Sequence, residues 1–298
     1  MKLVSVIIPT HKGSQYVKAA VESVINQTYP HVEIIVVDDN GYGTEEQLRT
    51  EEVLSIYIKT KKIKYITHEI NKNGSAARNT GFANSRGDYI CLLDDDDEYY
   101  PDKVEKEAEA LENLDPNWGM VYCGNEGSDK GKSGDLLFEL LIHSVVIGSN
   151  SFLVKREIWN KLGGFDESFR RHQDYEFTAR VASVTRIKYL RFVGFKSRDI
   201  YRNSPRNLKQ AQEQRAHYLN KMMPLIRRYS INKQKFVICC NCMEVTSKGK
   251  MREIKCLKEY AEQWDPQFSN ITILMVSVFK VFRKLKWMIF KNRRKSNC

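Results

Sequence analysis

The sequence predicts an α/β fold, a mostly parallel sheet flanked by helices, followed by a helical C-terminal extension. Three observations carry this. Short apolar, β-branched runs recur through the first hundred residues with helical patterns between them. Two of those runs end directly in aspartates, Asp38-Asp39 and Asp94 to Asp97. After Arg206 strand signals thin out and helical spacing dominates.

The first run, Val4 to Ile8, is closed by Pro9, and Val17, Ala20, Val21 and Val24 then recur at helical spacing behind Ser14, a candidate N-cap. Glu33 to Val37 and Ile63 to Ile66 are the next strands, Ser75 to Ala83 is helical, and Asp88 to Leu93 is a strand running into the acidic cluster. Trp118 to Cys123 and Ser151 to Val154 are further strands, separated by the polar stretch Glu126 to Gly134, a candidate lid. Beyond Arg206 the pattern is mainly helix to Tyr229, then a short apolar piece, Phe236 to Cys240, then a helical tail. The expected organisation is a catalytic domain over 1–205, with halves of about 1–115 and 116–205, and an extension over 206–298. No internal repeat is present.

A formal charge of +11 invites a nucleic-acid reading, but its location argues otherwise. From Pro266 onward there are eight Lys or Arg and no acid, leaving only +3 for everything before. The excess belongs to the tail, so no nucleic-acid partner is expected. Seven unevenly spaced cysteines and a start that runs straight into a strand predict a reducing, cytoplasmic setting without a signal peptide. Cys239, Cys240, Cys242 and Cys256 lack the paired spacing of a zinc site and read as buried thiols.

In open parallel sheets ligands sit beyond the carboxyl ends of the strands. Asp38, Asp39 and Asp94 to Asp97 are therefore expected along one edge. A row of carboxylates is costly unless a cation neutralises it, and magnesium or manganese, which take oxygen ligands and share them with substrate phosphates, are suitable partners. The competing readings are a solvated acidic loop for Asp94 to Glu98 and an N-cap or turn role for Asp38 and Asp39.

Several segments, taken in order, resemble family 2 glycosyltransferases: Ser5 to Thr10, Val21 to Tyr29, Ile34 to Asp39, Gly74 to Gly81, Gly87 to Asp97, Gly163 to Glu167 and Gln173 to Phe177. The resemblance covers about the first two thirds of the chain. It implies a GT-A, Rossmann-like fold and an inverting, single-displacement transfer from a nucleotide-diphosphate sugar, a UDP-sugar by preference. By the same resemblance Asp39 reads the nucleobase, Pro9, Thr10 and His11 line the nucleotide pocket, and Arg78 is the cation near the diphosphate. Asp94 and Asp96 match the Asp-x-Asp metal motif for Mn2+ or Mg2+. Asp95, the variable position between them, is grouped with the substrate-binding residues. Asp174 matches the catalytic base, with Asp166 and Glu176 as neighbours shaping the acceptor side.

Two departures qualify the resemblance. Lys196 to Arg202 contains no histidine where many relatives carry a third metal ligand, and Arg198 or Arg202 is the alternative contact to phosphate. The Gln-x-x-Arg-Trp motif of polymerising relatives is absent, which favours transfer of a single sugar.

In the tail, Ile271, Leu274, Met275, Val278, Phe282, Leu285 and Ile289 form an apolar stripe among Lys and Arg. The apolar stretch stops at Lys280, short of the roughly 20 residues that span a bilayer. The stripe over 271–295 suits either an anionic membrane surface or a protein face. The acceptor expected is a glycan or lipid-linked glycan, in surface polysaccharide or glycolipid assembly, at the inner face of the cell membrane. Two other readings remain open: a nucleotidyltransferase acting on a sugar phosphate, with Pro9 to Gly13 as a weak phosphate loop, and a non-catalytic nucleic-acid or membrane scaffold.

Overall fold

The computed structural model describes residues 1–126, 130–198, 208–246 and 261–262. The chain divides into two compact units, one over 1–140 and 144–204, the other over 141–143 with 205 onward. The basic stripe over 271–295, the centre of the candidate lid (127–129) and Arg202 lie outside the described residues.

The first unit is built on eight strands: β1 (Val4–Thr10), β2 (Val32–Asp38), β3 (Lys64–Thr67), β4 (Tyr89–Leu92), β5 (Glu98–Tyr99), β6 (Trp118–Asn125), β7 (Phe152–Lys155) and β8 (Arg186–Lys196). Their order is β3-β2-β1-β4-β7-β6-β8-β5. The first four strands in that order are mutually parallel, while β7 runs antiparallel to both β4 and β6. The sheet is thus mixed, a parallel half joined to a second half through one reversed strand. Because it is reversed, β7 starts at the edge where β1, β2 and β4 end, which places the residues just before it at that edge.

The apolar runs become central strands because both of their faces are covered. Val4, Val6, Ile7 and Ile8 of β1 are fully buried. One face packs against α1 (Val17–Ile25), α2 (Glu45–Lys59) and their surroundings, with Val6, Ile8, Val17, Val21, Leu54 and Cys91 in one cluster. The other face receives α3 (Gly74–Ala83), which contributes Ala77 to a cluster with Ile35 and Val37. This helix lies very close to β1: a Cβ on Gly81 would stand 2.3 Å from the Cγ2 of Ile7. Only glycine permits that approach.

Helix starts are determined locally. Thr44 caps α2, its hydroxyl accepting from the Gln47 N–H at 3.3 Å. Asn73 caps α3 from the left-handed region (φ 90°), its Oδ1 accepting from the N–H groups of Ser75 and Ala76. Ser14 does not cap α1: its hydroxyl and N–H donate to Glu46 on α2, and Tyr16 occupies the cap position without a side-chain bond. The remaining helices of this unit are α4 (Lys103–Glu112), α5 (Leu137–Leu141, reaching the boundary between the units), α6 (Arg156–Leu162) and α7 (Gln173–Ala182). Under the sheet, Lys103 on α4 forms a fully buried ion pair with Glu107 at 2.6 Å and lies 4.2 Å from the centre of the Tyr99 ring.

In the second unit, α8 (Leu208–Ile226) and α9 (Ile231–Thr246) are the described helices. Phe236 to Cys240, expected as a separate apolar piece, lies inside α9. Five of the cysteines, Cys91, Cys123, Cys239, Cys240 and Cys242, are buried, as hydrophobic packing predicts. Arg215 on α8 donates to Asn241 on α9 at 2.9 Å, and Asn241 donates to the carbonyls of Leu141 and Val237.

Candidate active site

The carboxyl ends of β1, β2 and β4 meet at one edge, and the aspartates following β2 and β4 there play different parts. Asp38, fully buried, accepts from the Tyr65 hydroxyl (2.6 Å) and from the N–H and amide of Asn40 (both 2.9 Å). Burial raises its pKa, and those bonds hold the rise in check. Asp39 is equally enclosed. Its Oδ1 meets His68 Nδ1 and the Lys72 N–H, both at 2.7 Å, while its Oδ2 accepts from the Asn71 amide and the Asn73 N–H. Asp39 therefore builds the Asn71–Asn73 loop and, through Asn73, the start of the helix that carries Arg78.

The acidic run alternates in exposure. Asp95 and Asp97 are buried, Asp94 and Asp96 partly exposed. Asp95 turns back toward β1, where its Oδ2 accepts from the Thr10 hydroxyl (2.6 Å) and the His11 N–H (3.3 Å). Gly13 is packed against the same oxygen, which a Cβ there would approach to 1.8 Å. Lys12, in the left-handed region at φ 57°, donates its N–H to Asn40 at 2.7 Å. Two N–H groups of the 10–13 turn are thus used on side chains. Asp97 accepts from the Arg198 N–H at 3.0 Å and from the Asn150 amide, which tie the acidic loop to the end of β8 and to the 3-10 turn Ser149–Ser151. Burial pushes the Asp97 carboxyl up to about 7, with the charges of Asp94 and Asp96 adding to the effect.

Arg78 is the centre of the arrangement. Its guanidinium donates to Asp94 Oδ1 at 2.7 Å, to Gln173 Oε1 at 2.5 Å and to the Ser149 hydroxyl at 3.5 Å, and it lies over the Phe165 ring. Its Nε is buried without a hydrogen-bond partner. Gln173 and Asp174 begin α7, entered through His172 in the left-handed region (φ 62°) with no side-chain cap. Burial raises the pKa of Asp174. The nearby Arg78 charge lowers it, Asp94 raises it further, and bonds from Ser149 lower it. Structure thus brings Arg78, Asp94 and Asp174 together, with Thr10, Asp95 and Asp39 along the same edge.

The neighbours of Asp174 do other work than expected. Glu176 is buried in a two-point ion pair with Arg180, which also donates to the carbonyls of Leu162 and Gly164. Through Arg180 it braces the end of α6. Asp166 closes a local turn by accepting from the N–H and hydroxyl of Ser168. Asn79 accounts for the Gly163 to Glu167 motif: it exchanges bonds with the backbone of Phe165 and donates to Glu167. Gly164, at φ 79°, passes so near that a Cβ would lie 2.4 Å from Asn79 Oδ1. Arg198 pairs with Glu98 at 2.6 Å.

Ser149, Asn150 and Gln173 belong to the site although sequence reasoning assigned them no role. Asn150 accepts from the Asp94 N–H at 2.7 Å and directs its amide at Asp94 and Asp97.

The residues present fit a hard divalent cation. Asp94 and Asp96 are the two acids of the run on its more open side, and carboxylate oxygens are the donors that magnesium and manganese take. Among the described residues no group of three or more His, Cys, Asp or Glu converges as a metal cage. Two carboxylates with substrate oxygens completing the shell is the arrangement these residues allow.

The sheet and its helices form an α/β fold of the GT-A type, with an acidic edge opposed by a buried arginine and a carboxylate at a helix start. The chain belongs to glycosyl transferase family 2, whose model matches residues 5–194. It is 35% identical over 212 residues to an uncharacterized glycosyltransferase of Rickettsia typhi, covering 66% of this chain and 64% of that one. It is 29% identical over 191 residues to the amylovoran biosynthesis glycosyltransferase AmsB of Erwinia amylovora, covering 59% and 62%. The chain thus spans less than two thirds of the length of the curated relatives it matches. Among solved structures, a mannosyltransferase of Pyrobaculum calidifontis in complex with GDP-Man and Mn2+ shares the fold, with a TM-score of 0.60 at 16% identity over 95% of this chain and 88% of that one.

Proposed function

We propose that this chain is an inverting glycosyltransferase that moves one sugar from a nucleotide-diphosphate sugar, a UDP-sugar by preference, to an acceptor hydroxyl in surface polysaccharide or glycolipid assembly. The observation that carries this reading is the placement of Arg78 between Asp94 and the start of α7, within electrostatic reach of Asp174. A cation for the leaving diphosphate and a carboxylate for the acceptor are thereby held in one small volume.

Asp174 takes the acceptor hydroxyl proton as the new bond to the anomeric carbon forms and the bond from that carbon to the diphosphate oxygen breaks. Its raised pKa improves it as a base, since proton affinity closer to neutrality increases the driving force for transfer. Arg78 neutralises charge that builds on the departing diphosphate. Asp94 and Asp96 would hold a divalent metal, Mn2+ or Mg2+, whose chemistry is charge neutralisation at the same diphosphate. Pro9, Thr10, His11 and Asp39 form the nucleotide end, Asp39 by ordering the Asn71–Asn73 loop, and Asp95 secures that end to the acidic loop through Thr10.

Several comparisons support the substrate classes. AmsB takes part in amylovoran biosynthesis, and the neighbours of known structure include Staphylococcus aureus TarS with UDP and the GDP-Man complex above. No helix among the described residues is long and apolar enough to cross a membrane. A glycan or lipid-linked acceptor, met at the inner face of the cell membrane with residues 271–295 on the anionic surface, completes the proposal.

The test is a panel of nucleotide sugars assayed for metal-dependent hydrolysis or transfer. Asp96→Ala is expected to lose metal-dependent donor binding. Asp174→Asn is expected to keep binding and lose transfer by about 100-fold or more. Full activity in both variants overturns the assignment.

A further inference from the structure

We propose that Gln173 is a positioning residue for donor binding, the tether that keeps Arg78 in place when Asp94 turns to a metal. The inference rests on the glycosyltransferase reading given above.

The guanidinium of Arg78 has one ionic partner among the bonds it makes, Asp94, and one neutral partner at comparable distance, the Gln173 amide oxygen. Asp94 is also one of the two carboxylates placed to hold a metal. The same oxygens serve both roles, so engagement of Asp94 by a divalent cation weakens its hold on Arg78, and cation–guanidinium repulsion pushes in the same direction. What then fixes the arginine is Gln173, assisted by the long contact to Ser149 at 3.5 Å.

Gln173 is well prepared for this. Its two amide ends are both used, Oε1 accepting from Arg78 and Nε2 donating to the Phe169 carbonyl at 3.0 Å, so the side chain cannot flip without losing both bonds. Gly74, at the start of α3, leaves room for the pair: a Cβ there would stand 3.1 Å from Arg78 Nη1 and 3.3 Å from Gln173 Oε1. Because Gln173 directly precedes Asp174, the contact also ties the arginine of the donor side to the first turn of the helix bearing the base.

The experiment is calorimetric binding of UDP and of GDP to the full chain with and without Mn2+, comparing wild type with Gln173→Met and Gln173→Glu. Methionine fills the same space without an acceptor; glutamate restores the acceptor. With Mn2+, Gln173→Met is expected to weaken nucleotide binding about 10-fold or more, the scale of one hydrogen bond to a charged group. Gln173→Glu is expected to stay within about 3-fold of wild type, and the methionine effect is expected to shrink without metal, where Asp94 still holds Arg78. Equal losses in both variants point to packing and to the Phe169 bond that both lack, and overturn the proposal, as does wild-type binding by Gln173→Met. A wild type that binds neither nucleotide overturns the donor class proposed above, and this inference with it.

Discussion

Asn150 holds Asp94 from both ends, accepting its N–H at 2.7 Å and directing its side-chain amide toward the Asp94 carboxylate at 3.4 Å. The same amide reaches Asp97, so one buried side chain fixes the spacing between two acids of the run. Asn150→Ala is expected to lower stability by about 1–3 kcal/mol, because it leaves the Asp94 N–H and a buried carboxylate oxygen without their partner. Chemical denaturation reads the stability loss. Metal-dependent nucleotide binding should fall with it, and an unchanged midpoint together with wild-type binding would refute the role.

Gly13→Ala tests the closure of the acidic loop on β1. A methyl group at 1.8 Å from Asp95 Oδ2 cannot be accommodated without moving either the turn or the carboxylate. A loss of about 1–3 kcal/mol is expected from this overpacking. Thr10→Val, which removes the 2.6 Å hydroxyl bond and keeps the shape, should cost a similar amount, since buried Asp95 then loses its best donor. Additive losses in the double variant would count against a shared contact.

Asp97 gives a pH signature. Its folded pKa is raised to about 7 by burial, above the ordinary carboxylate range, so between about pH 4 and pH 7 the folded chain retains a proton that the unfolded chain has released. Stability contributed by this group is therefore present at acid pH and declines as pH rises through that window. With chelator present, Asp97→Asn should flatten this part of the stability profile. A wild-type curve that rises across the window because of Asp97 would contradict the assignment.

Lys103 and Glu107 form an ion pair with no solvent contact. Lys103→Met alone is expected to cost about 3–5 kcal/mol, because it strands a buried carboxylate, whereas Lys103→Met with Glu107→Leu should recover most of that loss. Thermal melts of the three proteins decide it. Equal loss in single and double variants would show that packing around Tyr99, rather than charge pairing, is what the lysine provides.

Much of the parallel half was legible because each strand is an apolar run long enough to be unambiguous, and because Asp39 and Asp94 follow strands whose parallel pairing forces their ends to one edge. What escaped is what tertiary structure alone creates. Ser149 to Ser151 is a three-residue polar turn with no periodicity, and it becomes part of the site only because β7 reverses direction. Lys103 and Glu107 sit four apart, the spacing of an exposed helical pair, yet both are fully buried. Ser14 has the chemistry of an N-cap, but Glu46 offers it a better partner from a neighbouring helix. Phe236 to Cys240 is too short an apolar run to distinguish strand from helix, and flanking residues decided for the helix. Glu176 lies in a motif whose acids suggest an open site, but Arg180 one turn later claims it.

The reversed strand β7 has one more consequence. Residues 78, 94, 149 and 173 come from four separate stretches of chain, and Arg78 contacts the other three. Any ligand whose binding depends on where that guanidinium points must then alter affinity on the α7 side, and thermodynamic reciprocity requires the converse by the same factor. Donor and acceptor occupancy would then be coupled, each shifting the apparent affinity of the other by one common factor.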